Sequence, residues 1–335
     1  MNIALVYGGD SSERDISRLS GKNIASHLSK EKYIVYEINL HGNSWTLQAV
    51  NETDVAPAEI DKNDFSLCYR EKKVCFDVVL VMIHGTPGEN GIFTSYLEML
   101  GIPHTACPAR VGLLTFDKFA CKSFLRQAGV KMAPEVRLTL KNKDTAWTDL
   151  ALEKLGPLPW FVKPNAAGSS FGVSRVDRME DLSAAIEAAF REDNTVLVEQ
   201  YIKGRELTNG IMKTAQREFL LPVTEIIPHS HCSFFNYEAK YNGASAEVTP
   251  AEIPVAMADK IREISSFIYD YLLCTGVVRI DYIASGEDVY FLEVNTIPGM
   301  TKRSLVPQQI EAAGMTMEDF LDELICSAIN EHKRS

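Results

Sequence analysis

Two rhythms of apolar residues run along the chain. Short unbroken apolar runs read as buried strands: "NIALVYGG" (2–9), "YIVYEINL" (33–40) and "DVVLVMIHG" (77–85). After the first, "SSERDISRLSGKNIASHLSK" carries helical spacing, with Ser or Asp expected at its cap. "SWTLQ" and "KKVCFD" are weaker strand signals. Strands alternating with helices predict a parallel, doubly wound α/β domain over residues 1–106. Its loops Gly8–Glu13 and His84–Gly91 follow strand ends, where such domains hold ligands.

Helical periodicity returns in "TFDKFACKSFLRQAGV" (115–130), in "MEDLSAAIEAAFRE" (179–192) and over 256–273. "PWFVKP" (159–164) and "TVLVEQYI" (195–202) read as strands, the second leading into a third unit. Residues 141–157 read as a surface excursion. The pattern divides the chain into three domains, 1–106, 107–198 and 199–335, and with no low-complexity linker they are expected to pack closely. A length of 335 residues also exceeds one compact core of ordinary size.

Composition narrows the class. Hydrophobic residues make up 46% and charged residues 24%, as in soluble globular proteins. The net charge of −11 disfavours nucleic acid as a partner, although a local cluster of Lys and Arg can still hold phosphate. No apolar run reaches the roughly 18 residues that span a bilayer, so no membrane role is expected. "MNIALVYGG" lacks the features of a signal peptide and reads as a strand. Seven scattered cysteines without a C-x-x-C suggest reduced thiols in a cytoplasmic protein. "HSHC" (229–232) has no second half with zinc spacing and reads as a polar loop. Trp45, Trp147 and Trp160 read as packing or surface aromatics.

The chemistry concentrates in "VVRIDYIASGEDVYFLEV" (277–294), two apolar strands around a "SGED" turn. Pairing centred near Glu287 sets Asp281 opposite Glu293 and Arg279 opposite Asn295. Asp281, Glu293 and Asn295 then converge as an oxygen-only donor set, which suits Mg²⁺. An Arg279–Asp281 ion pair is the plainer alternative. "VKPNAAGSSFGVSRV" places Lys163 before a loop of small residues, Gly168 to Ser170, whose N–H groups can approach an anion. The chain has neither a Walker A motif nor G-x-G-x-x-G.

In order along the chain, "YGGDSSERDISRLSG", "HGTPGENG", "DK" (117–118), "VKPNAAGSSFGVS", "VEQYIKGRE", "YEAKY", "RIDY", "LEVNTIPGMT" and "SLVP" resemble the D-alanine–D-alanine ligase family of the ATP-grasp superfamily. The resemblance implies an α/β, three-domain ATP-grasp fold with ATP between the central and C-terminal domains. It implies that Lys118, Lys163 and Lys240 contact the nucleotide phosphates, with the Gly168, Ser169, Ser170 loop beside them. Glu199 opens the adenine hinge, backbone groups of Gln200 and Ile202 read the base, and Glu206 holds the ribose. Asp281, Glu293 and Asn295 bind two Mg²⁺, with Mn²⁺ able to substitute. Glu13 meets the first D-alanine ammonium and joins Ser169 and Tyr241 in a hydrogen-bonded set. Ser304 and Leu305 bound the second subsite. His84 lies near substrate, where a loop-stabilising role is the alternative. Arg279 and the N–H of Gly299 serve as oxyanion donors. A homodimer and a role in peptidoglycan precursor synthesis are also implied.

The acyl phosphate of such a reaction must be shielded from water, so residues 233–248 are expected to form a lid. Some positions depart from the family pattern: Asn90 and Asn236 stand where Asp is common, Gln200 where Lys is frequent, and "NAAGSS" lacks a charged residue before its glycine. Rival readings are a D-alanine–D-lactate ligase, another carboxylate–amine ligase, and a nucleotide-binding regulator without catalysis.

Overall fold

Strand β1 (Asn2–Gly8) is buried along its length, and the N-terminal third is built around it. In this computed structural model, which describes residues 1–142, 147–166, 171–228 and 245–333, β1 runs parallel to both of its neighbours. Helix α1 (Arg14–Ala25) follows and lies on it; Gly21 allows the approach, since a Cβ there would sit 2.2 Å from the Tyr7 ring. Strand β2 (Ile34–His41) pairs with β1, and β3 (Ser44–Val50) and β4 (Thr53–Asp54) extend the sheet in antiparallel fashion. A small antiparallel sheet comprises β5 (Ile60–Asp61), β6 (Ser66–Tyr69) and β7 (Lys72–Val74). Strand β8 (Val78–Met82), apolar at every position and buried on both faces, takes the other side of β1.

Helix α2 (Ile92–Met99) is followed by α3 (Ala109–Phe116) and α4 (Lys118–Gln127). The expected single helix over 115–130 is broken at Asp117, which is extended and whose side chain caps α4 by accepting from the Ala120 N–H. Next come β9 (Glu135–Thr139), α5 (Trp147–Leu155), β10 (Trp160–Pro164), β11 (Ser174–Val176), α6 (Leu182–Phe190) and β12 (Thr195–Gln200). Their antiparallel sheet has the order β11-β10-β12-β9. The expected surface excursion at 141–157 is instead partly a packed helix: Ala151 and Leu155 of α5 are buried in the core of this layer. Trp147, Ala151 and Leu155 form an i, i+4, i+8 stripe that the surrounding charges hide.

The third sheet is antiparallel and holds β13 (Arg205–Lys213), β14 (Glu218–Leu220), β15 (Thr224–Pro228), β16 (Ser245–Val248), β17 (Val277–Ser285) and β18 (Asp288–Asn295). Helix α7 (Val255–Leu272) covers it, and α8 (Leu305–Ala312) and α9 (Met317–His332) end the described chain. The cores do not follow chain order. Residues 107–127, expected with the central unit, pack with the third sheet through Val111, Cys121 and Leu125. Phe320, Leu321 and Leu324 of α9 return to the core of the N-terminal sheet. Of the described cysteines, Cys107, Cys121 and Cys274 are buried and Cys68, Cys75 and Cys326 exposed. No described helix is long and apolar enough to cross a membrane.

Candidate active site

A cleft of about 1030 Å³ opens between α1, the central sheet and the third sheet. The β17–β18 hairpin forms its floor. Ser285 pairs with Asp288 across the turn, and an unbroken ladder from there would set Asp281 against Leu292. A bulge at Leu292 absorbs one residue, so Asp281 faces Glu293 and Arg279 faces Asn295, the pairing expected from the sequence. Arg279 grips Asp281 with Nε and Nη2 at 2.9 and 2.8 Å, so the plainer ion pair is present. The Asn295 amide nitrogen donates to Asp281 Oδ2 at 3.0 Å, and the Thr208 hydroxyl to Oδ1. Asp281, Glu293 and Asn295 stand together at one edge of the cleft, a hard-donor set that could hold a divalent cation in place of the Arg279 and Lys118 pairings.

Two lysines reach the same cleft from different elements. The start of α4 is tied to the end of β10: Phe119 N–H donates to Asn165 Oδ1 at 2.8 Å and Lys118 N–H to the Asn165 carbonyl at 3.3 Å. That tie brings Lys118, paired with Glu293 at 3.3 Å, beside Lys163, paired with Glu199 at 3.0 Å. Burial lowers the Lys163 ammonium's pKa from the ordinary lysine value, with Glu199 opposing. Burial works against the charged Glu199 too, but Lys122 and Lys163 override it and hold this carboxyl at about 2. Gln200, Ile202 and Glu206 line the wall beyond. The Gln200 N–H is committed to the Pro134 carbonyl at 3.0 Å.

The opposite wall is α1 and the turn after β18. His84 bridges them: Nδ1 donates to the Ile297 carbonyl at 2.9 Å, so Nε2 accepts from the Ser20 hydroxyl at 3.0 Å. Burial lowers its pKa, with the nearby Glu13 charge opposing. His84 thus ties α1 to the turn after β18, and it also lines the cleft. The Ser20 oxygen also accepts the Met300 N–H at 3.2 Å. The turn at Pro298-Gly299 folds over Ser304, whose Oγ accepts the Thr301 N–H at 3.0 Å. A Cβ on Gly299 would lie 2.9 Å from that oxygen, which explains the glycine. Ser304 stands at the cap position of α8 with Leu305 behind it, and both line the cleft with Gly299.

Glu13 occupies the cap position of α1 without capping it. The expected Ser or Asp is not at that position; Ser11, two residues before it, accepts the Glu13 N–H at 3.2 Å and donates to the His84 carbonyl at 2.9 Å. Glu13 faces the cleft. Glu89, which sequence reasoning passed over, lines the cleft as well. Burial, and then the Glu13 charge, push its carboxyl up to about 7. Also unforeseen are Lys122, which holds Glu199 from behind, and Glu135, which shares that lysine. Lys122 lies one helical turn after Lys118, a spacing that was visible. Gly168, Ser169, Ser170, Lys240 and Tyr241 lie outside the described residues, as does the expected lid except for residues 245–248 in β16.

Comparison with known proteins decides the family. The D-ala D-ala ligase N-terminus model matches residues 2–107, and the D-ala D-ala ligase C-terminus model matches 124–326. The chain belongs to the D-alanine–D-alanine ligase family. It is 44% identical over 324 residues to the D-alanine–D-alanine ligase of Phocaeicola vulgatus, covering 96% of this chain and 98% of that one. It is 41% identical over 325 residues to that of Bacteroides fragilis, covering 97% and 98%. Among solved structures it resembles VanG D-Ala:D-Ser ligase from Enterococcus faecalis, with a TM-score of 0.86 at 28% identity and 98% and 99% of the chains covered. It also resembles the Bacillus anthracis D-alanine–D-alanine ligase complexed with ATP, with a TM-score of 0.78 at 29% identity, covering 100% and 99%. The likenesses identify the fold as that of an ATP-grasp ligase.

Proposed function

We propose that this chain joins two D-alanine molecules through a D-alanyl phosphate, releasing ADP and phosphate, and so supplies the dipeptide for peptidoglycan precursors. One observation carries this reading. The Arg279–Asp281–Glu293–Asn295 hairpin, the lysine pair, and the Glu13 and Ser304 walls all meet in one cleft of a family member.

The first step moves the γ-phosphoryl of ATP onto the first D-alanine carboxylate. Lys118 and Lys163 neutralise charge on the moving group. The Gln200 carbonyl and the Ile202 N–H read the adenine, and Glu206 holds the ribose. Asp281, Glu293 and Asn295 would hold two Mg²⁺, or Mn²⁺ in their place, which screen phosphate charge when bound. Glu13 receives the ammonium of the first D-alanine. The neutral amine of the second, seated by Ser304 and Leu305, attacks the acyl phosphate. Arg279 and the Gly299 N–H stabilise the oxyanion that forms. The Gly168–Ser170 loop, Lys240, Tyr241 and a lid over 233–248 belong to this reading, as do three domains, a homodimer and a cytoplasmic location.

D-serine in the second subsite is the alternative, on the likeness to the VanG D-Ala:D-Ser ligase. The test is phosphate release from ATP with D-alanine, L-alanine, or D-alanine plus D-serine, with products weighed by mass spectrometry. D-alanyl-D-alanine as the main product, with no turnover of L-alanine, is expected. A mixed dipeptide as the main product moves the reading to D-serine, and no D-alanine-dependent turnover overturns it.

A further inference from the structure

Behind the nucleotide wall a line of alternating charges crosses the central sheet. Arg126 Nη2 lies 2.6 Å from Glu135 Oε1, and Lys122 Nζ lies 2.6 Å from both Glu135 Oε2 and Glu199 Oε1. Lys163 Nζ follows at 3.0 Å from Glu199 Oε2. Glu135 and Glu199 are direct cross-strand partners, and like charges so placed repel. Lys122 stands between them with its side chain only 1% exposed. Its contact with Glu199 is an aligned hydrogen bond, whereas Glu135 Oε2 has no hydrogen-bond partner among the described residues. Glu199 is therefore divided between two lysines, and Lys122 holds the nearer share.

We propose that Lys122 is a positioning residue that sets how freely Lys163 engages the nucleotide phosphates. With Lys122 present, Glu199 is already neutralised, and Lys163 turns to a phosphate without abandoning a bare carboxylate. Without it, the whole Glu199 charge falls on Lys163 and draws it away from the cleft. This inference rests on the assignment of Lys163 to phosphate above. Lys122 itself reaches no substrate.

The test measures ATP affinity, kcat and melting temperature in three variants. Lys122→Met is expected to weaken ATP binding at least about tenfold, as loss of a buried charge partner does elsewhere, with a smaller change in kcat. Lys122→Met combined with Glu199→Gln is expected to recover most of that affinity, because the charge that restrains Lys163 is gone. A purely structural role moves ATP affinity only in step with melting temperature across the variants, whereas a positioning role moves affinity beyond what melting temperature follows. Unchanged ATP affinity in Lys122→Met, or no recovery in the double variant, overturns the proposal. Should Lys122→Met not fold, Glu135→Gln carries the test: it leaves Lys122 to Glu199 alone, and ATP is expected to bind as tightly or more tightly. Weaker binding there overturns the proposal. Lys163→Met separates the two readings: normal ATP affinity in it defeats the phosphate assignment instead.

Discussion

Glu199, buried, and Glu89, half-buried, face one cleft, and their surroundings drive them in opposite directions. Burial raises the pKa of both. Around Glu199, Lys122 and Lys163 reverse the effect and bring the carboxyl to about 2. Around Glu89 the nearest strong influence is another carboxylate, Glu13, and the value rises to about 7, with Arg279 and the Gly85 N–H only partly opposing. The cleft is thus polarised. Its lysine end suits the anionic nucleotide, and its glutamate end suits an ammonium group. Opposed environments of this kind separate binding roles within one site.

Arg279 sits where the two ends meet, so its removal is expected to have the largest effect. It touches Asp281 directly and its charge reaches Glu89. Arg279→Ala is expected to lower kcat about 10²–10³-fold, the usual loss for one oxyanion donor. Arg279→Lys is expected to recover little, because a point charge does not reproduce the two-pronged grip on Asp281. Asp281 keeps its bonds from Thr208 and Asn295, so the fold is expected to survive. Steady-state kinetics with a melting curve decides the matter: an undiminished kcat removes Arg279 from the reaction.

The lysine end is tested by acid. Glu199 has a folded pKa of about 2, below the roughly 4.3 of an unfolded glutamate. Its contribution to stability is full above the unfolded value and is lost as pH falls from there toward about 2. Melting temperature is expected to drop across that window in the native chain. Glu199→Gln is expected to flatten part of the drop. An equal acid slope in both proteins would show that other carboxylates govern it.

How much of this was legible in the sequence differs between the two ends. The hairpin was readable because strand alternation and a short turn fix which residues face each other, although the bulge at Leu292 that completes the pairing left no mark. Lys163 announced itself by its place before the small-residue loop. Lys122 did not, because a lysine in an amphipathic helix reads as solvated, and only the β9–β12 pairing of Glu135 with Glu199 draws it inward. Helix α5 was missed because its apolar stripe is three residues long and flanked by charge. Glu89 was passed over because its chemistry depends on Glu13, some 76 positions earlier in the chain. Long-range electrostatics of that sort has no local pattern to read.

The glutamate end offers the finest test. Burial and the Glu13 charge push the Glu89 carboxyl up to about 7, so one titration step of Glu89 is expected there. Below it, Glu89 holds a proton; above it, a second negative charge faces the ammonium of the first D-alanine. Affinity for D-alanine at that subsite is expected to rise severalfold, on the order of half a decade, as pH passes from 6 to 8. Glu89→Gln is expected to remove the step, as read by D-alanine binding across that range. A step that persists in Glu89→Gln assigns the titration to another group. Stability gives an independent check of sign. The folded pKa of Glu89 lies above its unfolded value, so its contribution is present below about 4.3 and is lost as pH rises toward about 7. Glu89→Gln is therefore expected to melt higher than the native chain at pH 8 and no higher at pH 4.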